Sequence, residues 1–216
     1  MEDGQRQKGW KKNPAGVRED ILTVASEMFA QGGLSGTRIE DIATRTRTSK
    51  RMIYYYFGSK DGLYLQVLET AYDKVRAAEG ELDLAALPPR EALIRLVTST
   101  FDGHARAPEF IRLVMIENIH MAKTLRRSEA ARAHNAAVIR LIEDLLRRGE
   151  AAGVFRPGLE ATVLHWQISA LCFFNVSNRP TFSTMFGDAL YGDAGQALLR
   201  DKVVEMILAT VCTGSR

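Results

Sequence analysis

The sequence predicts an all-α protein in which a small N-terminal unit of three helices precedes a larger helical domain. Apolar residues recur at helical spacing from residue 17 almost to the C terminus, no stretch alternates as a half-buried strand would, and glycine and proline breaks cut the pattern into helix-length pieces. With 216 residues, 46% of them hydrophobic and 25% charged, the chain can form two coupled globular units of ordinary soluble composition. No apolar run reaches the length of a membrane span, so no membrane partner is expected. The opening MEDGQRQKGWKKNPAG is basic with no apolar stretch behind it, which reads as a flexible arm over residues 1–16 rather than a secretory signal, and points to the cytoplasm. Cys172 and Cys212 sit among apolar residues and read as buried free thiols.

Ile21, Ala25, Met28 and Phe29 form one face of a first helix, expected over residues 17–31 and ended by Gly32 and Gly33. Thr37 with Glu40 three residues later has the pattern of a capping box, opening a short second helix whose buried stripe is Ile39, Ile42 and Ala43 and which stops near Arg45. The turn Thr46-Arg47-Thr48 follows. Ser49 then caps a third helix over residues 50–57, and Gly58-Ser59 separate it from a fourth at 60–76. Tyr64, Val67, Leu68, Ala71, Tyr72 and Val75 give the fourth helix one apolar side, as a connector needs. Further helices are expected at 90–106, 108–120, 128–152, 159–176 and 195–213, with 178–192 a loop that has room for a short helix. There is no internal repeat.

A short helix, a tight turn and a second helix make a helix-turn-helix, whose second helix can enter the major groove of DNA. Helical projection of residues 49–57 puts Ser49, Ile53, Tyr56 and Phe57 on the packing side, Arg51, Tyr54 and Tyr55 on the other, and Lys50 and Met52 at the margins. Arg51 suits a guanine edge, Met52 a thymine methyl, and Lys50, Tyr54 and Tyr55 suit phosphates. Lys60, in the first turn of the next helix, adds its charge to helix-end amides, and the amide of Thr37 is a second anchor. Charge agrees with this placement: residues 1–60 hold 11 Lys or Arg against 7 Asp or Glu, while residues 61–216 hold 18 against 19. The arm residues Arg6, Lys8, Trp10, Lys11 and Lys12 either follow the DNA backbone or serve only as a solubilising tail.

From Ile21 to Leu68 the order FAQGGLSGTRIEDIATRT, SKRMIYYYFGSKDGLY resembles the DNA-binding domain of the TetR (tetracycline repressor) family. The matching positions are Thr37, Ile42, Ala43, Ser49, Lys50, Ile53, Tyr54, Tyr56, Phe57, Ser59 and Lys60. Where the family often has Ala-Gly-Val in the turn, this chain has Thr46-Arg47-Thr48, and Tyr55 stands where histidine is frequent. Without the turn glycine a left-handed backbone is less comfortable, so a turn of different detail is expected; Arg47, Thr48 and Ser49 join the DNA-facing set. The resemblance implies a DNA-binding domain over 17–62 and a ligand-binding and dimerisation domain over 77–216. It also implies a regulator, most simply a repressor released from a pseudo-palindromic double-stranded operator by a small molecule, acting as a homodimer.

The C-terminal part supports dimerisation, because Val163, Trp166, Ile168, Ala170, Leu171, Phe173 and Phe174 make their helix apolar on more than one face, and Leu199, Val203, Met206, Ile207 and Val211 add a strong stripe. Polar residues among apolar ones, namely His104, Arg112, Glu117, Asn118, His120, Trp166, Asn175 and Asn178, are candidate pocket residues, each with a core or surface role as the plainer alternative. The four histidines have no metal-pair spacing, so neither a metal nor another cofactor is expected. No G-x-S-x-G, P-loop, dinucleotide or zinc signature points to an enzyme. The rival reading is a helical protein-interaction module whose helix-turn-helix does not read DNA.

Overall fold

A computed structural model describes residues 14–80 and 82–214, with the side chains of residues 78 and 79 left out. The basic arm, read as either a DNA-backbone contact or a solubilising tail, lies outside the described residues apart from its last three positions. Ten α-helices span the described chain: α1 Pro14–Gly36, α2 Ile39–Arg45, α3 Lys50–Phe57, α4 Lys60–Gly80, α5 Pro89–Arg106, α6 Pro108–Ile119, α7 Glu129–Ala151, α8 Ala161–Ser177, α9 Arg179–Phe186 and α10 Asp193–Val211. The expected elements are all there, and the 178–192 stretch resolves into α9 and a 3-10 turn, Ala189–Tyr191.

Two local expectations need correction. The Gly32-Gly33 pair kinks α1 instead of ending it: Gly33 alone is non-helical, at φ 65° and ψ −177°, and helical geometry resumes as far as Gly36. That combination lies where only glycine is comfortable, so the kink needs Gly33. The capping box does not form, because Arg38 occupies the N-cap of α2 and makes no side-chain bond there. Thr37 is buried, and its hydroxyl donates to the Met28 carbonyl of α1 at 3.0 Å. A buried hydroxyl gains more from a carbonyl beside it than from an amide it would have to turn outwards to reach.

Contacts gather the chain into two units: residues up to Ala71 with Arg112–Ser128, and Tyr72–Ile111 with Glu129–Arg216. This grouping by contacts is not linear along the chain, since the segment 112–128 goes with the first unit. In that unit Ile21, Phe29, Ile42, Ile53, Leu63, Leu68 and Leu113 are fully enclosed, and Phe29 meets Tyr64 edge-on at 5.0 Å. Glu117 closes the added segment, since its buried carboxylate accepts from the amides of Thr124 at 3.1 Å and Leu125 at 2.9 Å. Burial, then the Glu117 charge, pushes the Tyr64 hydroxyl above its ordinary range.

The second unit is built around Leu93, Leu96, Phe101, Ile142, Leu145, Ile168, Cys172 and Ile207, drawn from α5, α7, α8 and α10. Both cysteines are buried free thiols, and burial pushes Cys172 to about 12. An isolated bridge between Phe155 and Cys212 pins the α7–α8 link to the end of the chain, with Arg156 donating to the Cys212 carbonyl at 3.0 Å. Arg148 ties the link before α5 to α7: its guanidinium donates to the carbonyls of Leu84 at 2.9 Å and Leu87 at 3.1 Å while its Nε meets Asp144 at 3.1 Å.

Each charged bond of this kind contributes about 1.5–3 kcal/mol when its partner would otherwise be unsatisfied. Arg148→Ala is expected to lower unfolding free energy by about 2–3 kcal/mol in urea denaturation. Arg148→Lys recovers less than half of that, because an ammonium cannot serve carbonyls and carboxylate as a planar fork does.

Candidate nucleic-acid interface

The interface is assembled from α2, the turn and α3. Arg47 in the turn adopts φ 51°, so a left-handed conformation forms here on an arginine, without glycine. Such a residue costs about 1–2 kcal/mol. Three bonds hold it: Arg47 N to Thr44 O at 3.2 Å, Thr48 N to Ala43 O at 3.0 Å, and the Thr46 hydroxyl to Ile42 O at 2.8 Å. Ser49 then caps α3, its hydroxyl accepting from Met52 N at 3.3 Å.

On α3, Ile53 and Phe57 are buried and Tyr56 is half-buried, while Lys50, Arg51, Tyr54 and Tyr55 are exposed and Met52 is partly covered. Tyr55 is 77% exposed, a large area for an aromatic side chain to leave in water. Arg47 and Ser49 are exposed beside this face, Thr48 is half-buried, and Lys60 is half-buried in the first turn of α4. Thr37 stands apart, since its side chain is buried and committed to Met28, so its hydroxyl acts between α1 and α2.

Several contacts that position this face carry no motif signal. Lys50 is ion-paired with Glu40 of α2, which holds the Glu40 carboxyl below its usual range and the Lys50 ammonium above its own. Arg45 of α2 pairs with Glu27 of α1 at 2.6 Å. Arg18 of α1 bonds Gln66 of α4 at 2.5 Å and lies 5.4 Å above the Phe57 ring. Gly62 lets α4 start hard against the end of α3, because a Cβ there would lie 2.2 Å from the Phe57 carbonyl oxygen.

The eight candidate pocket residues are divided between the two units. Arg112, Asn118 and His120 are exposed and Glu117 is buried as a turn anchor, all four in the first unit. In the second unit His104 is buried, Trp166 is 70% exposed, Asn175 is paired with Gln196 at 2.9 and 3.0 Å, and Asn178 donates to Ser177 at 2.9 Å. The second unit instead carries a groove of about 430 Å³ lined by Asp73, Arg76, Ala77 and Gly80 of α4, Leu96 of α5, and His134, Ala137, Val138 and Leu141 of α7. At its mouth His134 meets Asp73 at 2.7 Å and Arg76 donates to Asn135 at 2.9 Å. Burial, then the Arg76 charge, lowers His104 to about 4, and the same two causes lower His165. Both imidazoles are therefore neutral at pH 7. No histidine scan of the sequence could find this, because the effect depends on burial first and then on a cation, both brought about by folding.

Comparison with known proteins agrees with this architecture. Residues 21–67 match the family model described as bacterial regulatory proteins, tetR family, and residues 89–207 match a tetracyclin repressor-like C-terminal domain. The HTH-type transcriptional repressor NicS of Pseudomonas putida is 38% identical over 78% of this chain and 79% of its own length. The HTH-type transcriptional repressor SCO4008 of Streptomyces coelicolor is 29% identical over 89% and 93%. Among solved structures, the ketosteroid transcriptional regulator KstR2 of Mycobacterium tuberculosis superposes with a TM-score of 0.67 at 20% identity, covering 91% of this chain and 95% of that one. No helix among the described residues is long and apolar enough to cross a membrane.

Two expectations follow from this geometry. Gly62→Ala forces apart the α3–α4 junction and is expected to cost about 1–3 kcal/mol of stability and to weaken DNA binding in the same protein. His104 supplies a pH signature: its folded pKa lies below the unfolded value, so the unfolded chain takes up the proton first and stability falls with pH between about 6.5 and 4. From pH 7 to pH 5 this group removes about 2 kcal/mol, and His104→Gln flattens that part of the stability profile.

Proposed function

The chain belongs to the tetR family of bacterial regulatory proteins, and we propose that it acts as a homodimeric repressor that holds operator DNA through α3 and lets go when a small molecule binds its second unit. The observation that carries this reading is the exposed basic and aromatic face of α3, set by a serine cap and by the buried Ile53 and Phe57. Arg51 is assigned to a guanine edge and Met52 to a thymine methyl. Arg47, Thr48, Ser49, Tyr54, Tyr55 and Lys60 are assigned to the phosphate backbone, with Lys60 working beside the N-terminal amides of α4. Lys50 reaches a phosphate only by sharing its charge with Glu40.

Dimerisation is assigned to the apolar side chains that α8 and α10 leave in water, chiefly Val163, Trp166 and Phe174 on one and Leu198 and Met206 on the other. Two copies bring two α3 helices to successive major grooves, about 34 Å apart on a two-fold site. The effector is assigned to the groove between α4, α5 and α7, which has the volume and the mainly apolar wall that small molecules use. The same helix, α4, carries Lys60 at its start and Asp73, Arg76 and Ala77 near its end. A ligand preferring one tilt of α4 must then weaken DNA binding by the same coupling with which DNA weakens the ligand, typically ~1–3 kcal/mol.

The test is a salt titration of binding to DNA upstream of the protein's own gene, in excess random competitor, with Arg51→Ala beside the wild type. Loss of about 1–3 kcal/mol of specific affinity with unchanged thermal stability is expected, because Arg51 is exposed and makes no hydrogen bond or ion pair among the described residues. Equal, purely salt-dependent binding by both proteins would instead favour a helical interaction module.

A further inference from the structure

The segment between α8 and α10 presents more apolar surface than any motif explains. In α9 no residue is fully buried, and its last two apolar side chains, Met185 and Phe186, are each 73% exposed. An eight-residue helix is too short to persist in water on its own hydrogen bonds, so tertiary contacts must hold it. Those contacts are found at its root. Phe182 stacks with Phe186 at 4.7 Å, faces Phe174 of α8 at 6.3 Å and Tyr191 at 6.2 Å, and Arg179 lies 5.3 Å above the Tyr191 ring. Below them the Asn175–Gln196 pair joins α8 to α10, and Gln196 also donates to Leu190 O at 2.9 Å. Gly195 admits the Leu190 backbone so closely that a Cβ would lie 2.5 Å from its Cα. The arm is thus firmly seated while its tip carries two large side chains in water.

We propose that the tip of this arm, Met185 and Phe186, docks on a second copy of this chain and extends the dimer contact beyond α8 and α10. The occupant is argued from continuity: Val163, Trp166, Ala170 and Phe174 follow one another at helical spacing along the exposed side of α8, and Phe174 touches Phe182, the hub of the arm. Exposed apolar side chains therefore follow one another from Val163, near the start of α8, through the Phe174–Phe182 contact to the tip of α9. In a two-fold dimer whatever covers this patch is covered in turn, so one arm contributes twice. The inference rests on the dimer reading above and adds to it a second contact with its own residues.

Sedimentation equilibrium of the full chain separates the two. A Met185→Ser, Phe186→Ser double variant is expected to raise the dimer dissociation constant at least about tenfold with unchanged circular dichroism, as truncation of central aromatic anchors does. Trp166→Glu, in the middle of α8, is expected to dissociate the dimer outright. An unchanged constant in the double variant, with Trp166→Glu monomeric, overturns the arm and leaves the dimer standing; a wild type that is monomeric at every concentration overturns both. Met185→Cys gives a check that does not depend on the double variant folding, since both native thiols are buried. Its new thiol should react with a maleimide at least about tenfold more slowly when the protein is concentrated enough to dimerise than when it is dilute, a protection typical of a site closed to solvent. Equal rates would overturn the proposal.

Discussion

Everything this protein can do with DNA depends on how two side chains, Ile53 and Phe57, seat α3. They are the only fully buried residues of an eight-residue helix, and burying each contributes about 1.5–3 kcal/mol. That total is small for an element that must present four or five side chains within a fraction of an ångström. The rest of the seating is supplied by polar and steric devices around it: the Ser49 cap, the Lys50–Glu40 pair, Arg18 over Phe57, and the missing Cβ at Gly62. None is strong alone. Together they fix the start, the flank and the end of α3, so that a tilt has to break several at once.

How much of this can be read from the chain itself follows from the range of each interaction. The helices were legible because apolar spacing is a local property, and Ser49 was legible because a cap acts across three residues. The left-handed Arg47 was harder, since propensity argues against it and three hydrogen bonds from the surrounding turn outweigh that preference. Thr37 had the right spacing for a capping box and a different partner, because the Met28 carbonyl reaches it only when α1 and α2 pack. Glu117 has the same lesson at longer range. Among apolar helical residues it has the look of a pocket group, yet folding turns it onto two backbone amides and gives it a structural task.

The second unit was legible as helices, and its groove was illegible for a related reason. A groove is a property of three helices at once, and its wall is dominated by Ala77, Leu96, Ala137, Val138 and Leu141, which in sequence are indistinguishable from core. Its polar edge comes from Asp73, Arg76 and His134, a set that pattern reading passed over because exposed charges on amphipathic helices are usually just solvated. Arg76 matters beyond its own contacts. Its charge helps keep His104 and His165 neutral, so the interior of this unit offers imidazole nitrogens that can accept or donate a hydrogen bond without bringing in a second charge.

The pairing of Lys50 with Glu40 bears on how the DNA face divides its labour. Both side chains are about half exposed, so the pair is screened by water and holds α3 to α2 only weakly. A phosphate approaching Lys50 meets the Glu40 carboxylate as well, and the attraction of one charge is offset by repulsion from the other. Arg51 meets no carboxylate among the described residues, and its planar fork can read a base edge with two bonds where an ammonium supplies a point charge. With Lys50 assigned to a phosphate and Arg51 to a base edge, as proposed above, the acidic residue next to α3 would lower the sequence-independent part of binding more than the specific part. A repressor searching a long excess of wrong sites gains from that difference, because its occupancy of the right site is set by the ratio of the two affinities rather than by either one.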